Sequence, residues 1–208
     1  MYLLLSVLAI FIVLCFSELG WRKHWLNNEI GRKFVHITVG SFVAFWPFFL
    51  SWNEIRLLSV AFLLVVIISD RLKIFRAINS VQRPTYGEIF FAISVGLLTF
   101  ITHSKAIYAA SILQMSLADG FAAIVGTRYG RENRYFVFSH AKSVVGTLTF
   151  AIISCAILTG YGVYAVAGLP IAHILIGTVV GTAAENLASF GLDNLFVPLF
   201  IGLLLARW

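Results

Sequence analysis

Eight apolar runs divide this chain into segments of roughly helical length, at about residues 2–17, 34–52, 55–69, 88–102, 105–127, 144–160, 164–184 and 195–206. Each run is continuous. A membrane barrel would instead show alternating strands of about ten residues. A bilayer core of ~30 Å takes ~20 helical residues per crossing. Several runs are shorter, so they must borrow flanking residues, sit in a thin bilayer or be partly re-entrant. The expected fold is all-α: a polytopic membrane protein with seven or eight transmembrane helices, the last run deciding the count.

Composition supports lipid as the solvent. The chain is 60% hydrophobic and only 12% charged, whereas soluble domains carry about 25% charged residues. No linker, low-complexity tract or clear repeat interrupts it, so residues 1–208 read as a single transmembrane domain. The first run has no basic start and no small-residue cleavage pattern, so it reads as a retained helix rather than a signal peptide. Cys15 and Cys155 fall in opposite halves of the expected bilayer, and no CxxC pattern points to zinc or redox chemistry.

Of the 15 Lys and Arg residues, 12 fall in three alternate loops: Arg22, Lys23, Arg32 and Lys33; Arg71, Lys73, Arg76 and Arg83; Arg128, Arg131, Arg134 and Lys142. Arg56, Lys105 and Arg207 lie on the other side. By the positive-inside rule the N-terminus is outside and the basic loops are cytoplasmic.

Four constellations gather on that face. Glu29, Arg32, Lys33, His36 and Gly40 are spaced 0, 3, 4, 7 and 11, which makes one helical stripe. The alternative is a snorkelling cluster of headgroup charges. Asp119 sits well inside an uncharged run, and an acid at that depth marks a functional site or a paired structural acid. Ser116, Ala123, Gly126 and Gly130 extend a small-residue path from it, for close helix packing or for a phosphate or metal. Lys142 and Ser143, followed by Gly146, suit an anion at a helix start or a plain helix cap. Glu185, Asn186, Asp193 and Asn194 place oxygen-bearing side chains in a short connection. They suit magnesium, which keeps waters and binds substrate phosphates, or a plain polar turn. Together these residues offer acids for a metal, cations for phosphates and a histidine, beside lipid. No nucleic acid is expected as a partner. Close packing of glycine faces such as Gly177/Gly181 would allow a homodimer.

Five segments resemble the family of CTP-dependent membrane lipid kinases that includes dolichol kinase, phytol kinase and the yeast-type diacylglycerol kinase. They are Glu29–Gly40 with its E-x-x-R-K-x-x-H pattern, Arg83 to Glu88, Ala118 through Gly126 to Gly130, Lys142 to Gly146, and Glu185 through Asp193 and Asn194 to Pro198. They occur in the family's order. The chain is also more distantly similar to phosphatidate cytidylyltransferases. The resemblance implies phosphoryl transfer from CTP, as co-substrate, to a lipid alcohol: an isoprenoid alcohol of the phytol or polyprenol type, or diacylglycerol. The chain lacks the long extra membrane region of eukaryotic dolichol kinases.

On that basis Mg2+ is expected at Asp119 with Glu185 or Asp193. Lys142, Arg128 and Arg32 or Lys33 would balance phosphate charge. Arg83, Gly126, Gly130, Ser143 and Gly146 would line the nucleotide phosphates, with Glu29, Glu88, Asn186 and Asn194 as further polar site residues. His36 or Asp119 would accept the alcohol proton. Two rivals stand beside this reading. A cytidylyltransferase would use the same magnesium and CTP, with a lipid phosphate attacking the α-phosphorus. An ion- or proton-coupled transporter would use Asp119 and His36 as relays, but would spread charge through the membrane depth.

Overall fold

A computed structural model describes residues 1–23, 28–72, 86–138, 140–166 and 168–208. In chain order these form α1 (Tyr2–Arg22), α2 (Asn28–Ala44), a 3-10 turn (Trp46–Phe48), α3 (Trp52–Leu72), α4 (Gly87–Ile101), α5 (Lys105–Leu113), a π turn (Gln114–Ala118), α6 (Asp119–Tyr129), strands β1 (Arg134–Val137) and β2 (His140–Ser143), α7 (Val144–Ala165), α8 (Ile171–Leu187) and α9 (Asp193–Leu205). Among the described residues, four stretches are long and apolar enough to cross a membrane: Tyr2–Gly20, Trp52–Ser69, Lys105–Tyr129 and Val144–Ala165. Three further apolar helices, α4, α8 and α9, are shorter. Large apolar side chains such as Leu4, Leu64, Ile152 and Val179 stand exposed around the outside. In water such a surface would drive aggregation, whereas in lipid it is the solvent-facing surface of a membrane protein.

The middle of the bundle is the continuous helix α5–π–α6. Of its apolar window 61% is buried, against 17–22% for the other three spanning stretches. Its sequence explains this position. Ala109, Ala110, Ser111, Ser116, Ala118 and Gly120 are small, so neighbours approach from every side. On one side α2, α3 and α4 bury Val43, Ile55, Leu98 and Tyr108 in a common core. On the other, α7, α8 and α9 close over Leu158, Ile201, Phe150 and Val197.

Three sequence expectations are corrected. The expected run 34–52 is not one helix: α2 begins at Asn28 and stops at Ala44, and the chain turns at Trp46–Phe48. Pro47 fixes its own φ and cannot donate to a continuing helix. The fold is not wholly helical, because β1 and β2 pair antiparallel, with Arg134 opposite Ser143 and Val137 opposite His140. Lys142 therefore lies on a strand, and the helix after it starts at Val144 with Ser143 as its cap. Finally, the Gly177/Gly181 face is covered from within the chain. A Cβ on Gly177 would meet Leu158 Cδ1 at 2.7 Å, and Gly181 faces Ile201 and Phe150. That face is not open to a second copy.

Candidate active site

The polar stripe of α2 turns inward, against the central helix. Lys33 Nζ donates to Asp119 Oδ2 at 2.8 Å, and both side chains are buried. His36, three residues along the same face, brings Nε2 to 3.4 Å from the same oxygen. The snorkelling alternative predicted a lysine reaching for water, and Lys33 does the opposite. Two glycines permit this approach. A Cβ on Gly40 would fall 2.4 Å from Ser116 Cβ, and one on Gly120 would fall 2.3 Å from Ile37 Cγ1. With any larger residue there, α2 would stand off and Lys33 would lose reach.

The π turn adds a contact the sequence did not announce. In an α-helix the Asp119 N–H would donate four residues back, to Met115 O. Here it is shared between Gln114 O, five residues back, and Ser116 O. Met115 O is thus not taken by the Asp119 N–H, and His36 Nε2 lies 2.9 Å from it. A carbonyl only accepts, so Nε2 carries the proton and, in the neutral ring, Nδ1 carries the lone pair. Widened turns of this kind occur often at functional sites. The ring of Phe91, on α4, stands edge-on to His36 with centroids 6.1 Å apart.

A second ion pair lies between the hairpin and α8. Lys142 Nζ donates to the Glu185 carbonyl at 2.9 Å and to its carboxylate Oε1. Burial alone would lower the Lys142 pKa, but the Glu185 charge and hydrogen bond outweigh it and hold it above lysine's usual value. Asp119 and Asp193 add to the same effect, so the two ion pairs share one electrostatic neighbourhood. Asp193 feels Asp119, Lys33 and Lys142 in turn, and its Oδ1 accepts from the Asn194 N–H at 2.9 Å. The structure thus gathers Lys33, His36, Asp119, Lys142, Glu185 and Asp193.

The remaining candidates sit differently. Gly126, Gly130, Ser143 and Gly146 form the seam between α6 and the start of α7. A Cβ on Gly126 would lie 3.2 Å from Gly146 Cα, and one on Gly130 would lie 2.3 Å from Ser143 Oγ. Ser143 Oγ accepts from Gly146 N–H at 3.1 Å, capping α7. These four small residues let α6 and α7 pack closely. Arg128 is exposed, its guanidinium 5.6 Å from the Tyr129 ring centroid, and lies about 13 Å along α6 from Asp119 at ~1.5 Å per residue. Arg32 is half-buried beside Lys33, and Glu88 is half-buried in the first turn of α4. Asn194 Nδ2 donates to Gly87 O at 2.9 Å. Asn186 joins Tyr135 and Thr147 in a hydrogen-bonded group that sequence reasoning missed. Arg83 and the side chain of Glu29 lie outside the described residues. Among the described residues no three His, Cys, Asp or Glu side chains form a group that could hold a metal alone.

The chain is 38% identical over 199 residues to the phytol kinase of Synechocystis, covering 92% of this chain and 84% of that protein. The chain belongs to the phytol kinase family. It is also 33% identical over 155 residues to the probable phytol kinase 2, chloroplastic, of Glycine max, and 32% identical over 167 residues to the probable phytol kinase 1, chloroplastic, of Oryza sativa. It spans about half the length of each of these two plant relatives (51%). No family model matches the chain, and no solved structure matches it.

Proposed function

We propose that this protein is a kinase for a membrane isoprenoid alcohol of the phytol type, and that it takes the γ-phosphoryl group from CTP. The observation that carries this reading is the buried Lys33–Asp119 pair with His36 on the same carboxylate oxygen, in a chain of the phytol kinase family. A structural pair alone would not need a histidine at its edge. Nor would it need a second lysine–carboxylate pair in the same electrostatic neighbourhood.

Magnesium fits the donor set as a companion of the nucleotide. Asp119, Asp193 and Glu185 supply hard oxygens, and the buried Asn194 Oδ1 has no hydrogen-bond partner among the described residues. Magnesium is commonly held by one or two carboxylates together with waters and substrate phosphates, so a three-residue protein cage is unnecessary. When bound, it would neutralise charge on the transferring phosphates. Lys33 and Lys142 hold the carboxylates in place beforehand. With those carboxylates engaged elsewhere, both lysines would be free to turn towards the phosphates. Phosphoryl transfer relies mainly on such positioning and charge stabilisation.

His36 Nδ1, left with the lone pair by the Met115 contact, accepts the alcohol proton. The alcohol oxygen bonds to the γ-phosphorus, the bridge to the β-phosphate breaks, and CDP leaves. Asp119 would then be free to hold the metal rather than take the proton. The whole chain acts as one transmembrane catalytic unit of seven or eight spans. Its basic loops and site lie at the cytoplasmic surface.

Replacing His36 by Gln separates these roles. The variant should still bind magnesium–CTP in calorimetry with an unchanged Kd. Its kcat should fall by roughly 10²–10⁴, the usual contribution of a positioned base. An unchanged kcat would remove His36 from the chemistry. Loss of nucleotide binding would move it to the phosphate side.

A further inference from the structure

The hairpin β1–β2 presents two unlike faces. Phe136, Phe138 and Ala141 are exposed on one. On the other, Tyr135, His140 and Lys142 are half-buried, with Tyr135 directly opposite Lys142 in the strand register. These three meet one short stretch of chain, the end of α8 and the turn after it. Lys142 bonds to Glu185, Tyr135 bonds to Asn186, and the His140 ring stands edge-on to Phe190 with centroids 4.8 Å apart. One rung of the hairpin is thus fastened to two successive residues of α8. Lys142 cannot slide along that helix while Tyr135 stays bonded.

The two fastenings differ in chemistry. Lys142–Glu185 is an ion pair, and a magnesium–nucleotide would attract both of its charges. Tyr135–Asn186 is neutral. The Tyr135 hydroxyl donates to Asn186 Oδ1 and also contacts Thr147 Oγ1, in the first turn of α7. Thr147 Oγ1 lies 3.3 Å from the same Asn186 oxygen. Asn186 Nδ2 donates back to Thr182 O at 3.0 Å, which fixes the amide with its oxygen towards the tyrosine. The group joins β1, α7 and α8, and holds no charge for a metal or phosphate to pull away.

We propose that Tyr135 is a positioning residue for nucleotide binding: through Asn186 and Thr147 it keeps the hairpin on α8, so that Lys142 remains at the site when it exchanges Glu185 for a phosphate. This rests on the kinase reading above, in which Lys142 turns to the nucleotide, and adds what holds the lysine there.

The test uses the full-length protein in detergent with magnesium–CTP and phytol. Tyr135→Phe removes one hydroxyl and keeps the ring. Its Kd for magnesium–CTP in calorimetry and its KM for CTP should rise by about threefold to tenfold, the effect of one hydrogen bond. Its KM for phytol should stay at the wild-type value. Thr147→Val removes the other hydroxyl of the group and should show the same split; if Tyr135→Phe fails to fold, Thr147→Val carries the test. The double variant should bind magnesium–CTP about as well as the weaker single variant, because both changes act through one group. Fully additive losses would mean that Tyr135 touches the nucleotide itself, and would overturn the positioning role. An active wild-type protein with Kd and KM unchanged in Tyr135→Phe, whatever its melting temperature, would make the group purely structural and overturn this inference alone. A wild-type protein that phosphorylates no isoprenoid alcohol overturns the kinase reading and this inference with it.

Discussion

The two sides of the central helix use small residues in opposite ways. Towards α2, Gly40 and Gly120 draw one helix in so that Lys33 and His36 reach Asp119. Towards α7 and α8, Gly126, Gly146 and Gly177 draw helices together until Cβ atoms would collide. The sequence patterns look alike. What separates them is what the close approach delivers: Lys33 and His36 to Asp119 on one side, helix packing around Ser143 and Leu158 on the other. A glycine-rich stretch beside an acid is thus no guide to a phosphate cradle until its partner surface is known.

The largest effect should come from the ion pair on the α2 side. Asp119→Asn or Lys33→Met should reduce transfer by about 10³-fold or more. Each should also destabilise the fold by roughly 3–5 kcal/mol, because one buried charge is left without its partner. The double variant Lys33→Met/Asp119→Leu sharpens the contrast. It should recover most of that stability in a thermal melt while remaining inactive. Recovered activity would make the pair a structural feature only.

The seam on the other side should respond in stability first. Gly146→Val forces a side chain against Ala122 O and Gly126 Cα, at 3.1 and 3.4 Å from its Cβ. The expected loss is ~1–3 kcal/mol, with kcat per folded molecule little changed. Gly160, also on α7, has nothing among the described residues within 4 Å of a Cβ. Gly160→Ala should be neutral or stabilising by up to ~1 kcal/mol. If Gly146→Val abolishes nucleotide binding in protein that remains folded, the seam is a phosphate site after all.

A further test concerns the pH dependence of the Lys142 pair. Its pKa is raised above the usual 10.5 despite burial, because Glu185 stabilises the charge. The associated stability is complete below 10.5 and is lost only as pH rises through the raised value. Lys142→Met should therefore lower stability across neutral pH and flatten this alkaline limb relative to the wild type. An identical alkaline loss in both proteins would mean that the pair contributes nothing.

Much of this arrangement was legible in the sequence. The spacing of Lys33, His36 and Gly40 fixed a common face, and Asp119 stood out because an acid inside an apolar run demands a partner. Glu185 beside Lys142 could not be foreseen as a pair, since 43 residues separate them. The hairpin carrying Lys142 was hidden for a local reason. Hairpin turns are usually marked by Asn-Gly or Asp-Gly, whereas here Phe138 takes the left-handed conformation at φ 52°. The π turn left no mark beyond Gln114 and Ser116 in an apolar run, yet it opens Met115 O to His36. For Gly126 and Gly146 the sequence leaves close packing and a phosphate site both open, because it shows where side chains are missing but not what fills the space.

The most direct test of the central claim is positional. Purified wild-type protein would receive magnesium and CTP labelled at either the α- or the γ-phosphate, with phytol, geranylgeraniol, undecaprenol, diacylglycerol and phosphatidate offered as acceptors. The account predicts γ-label in an isoprenoid alcohol, phytol above the rest, and none with Asp119→Asn. Label from the α-phosphate entering phosphatidate, or no magnesium-dependent transfer to any of these lipids, would contradict it.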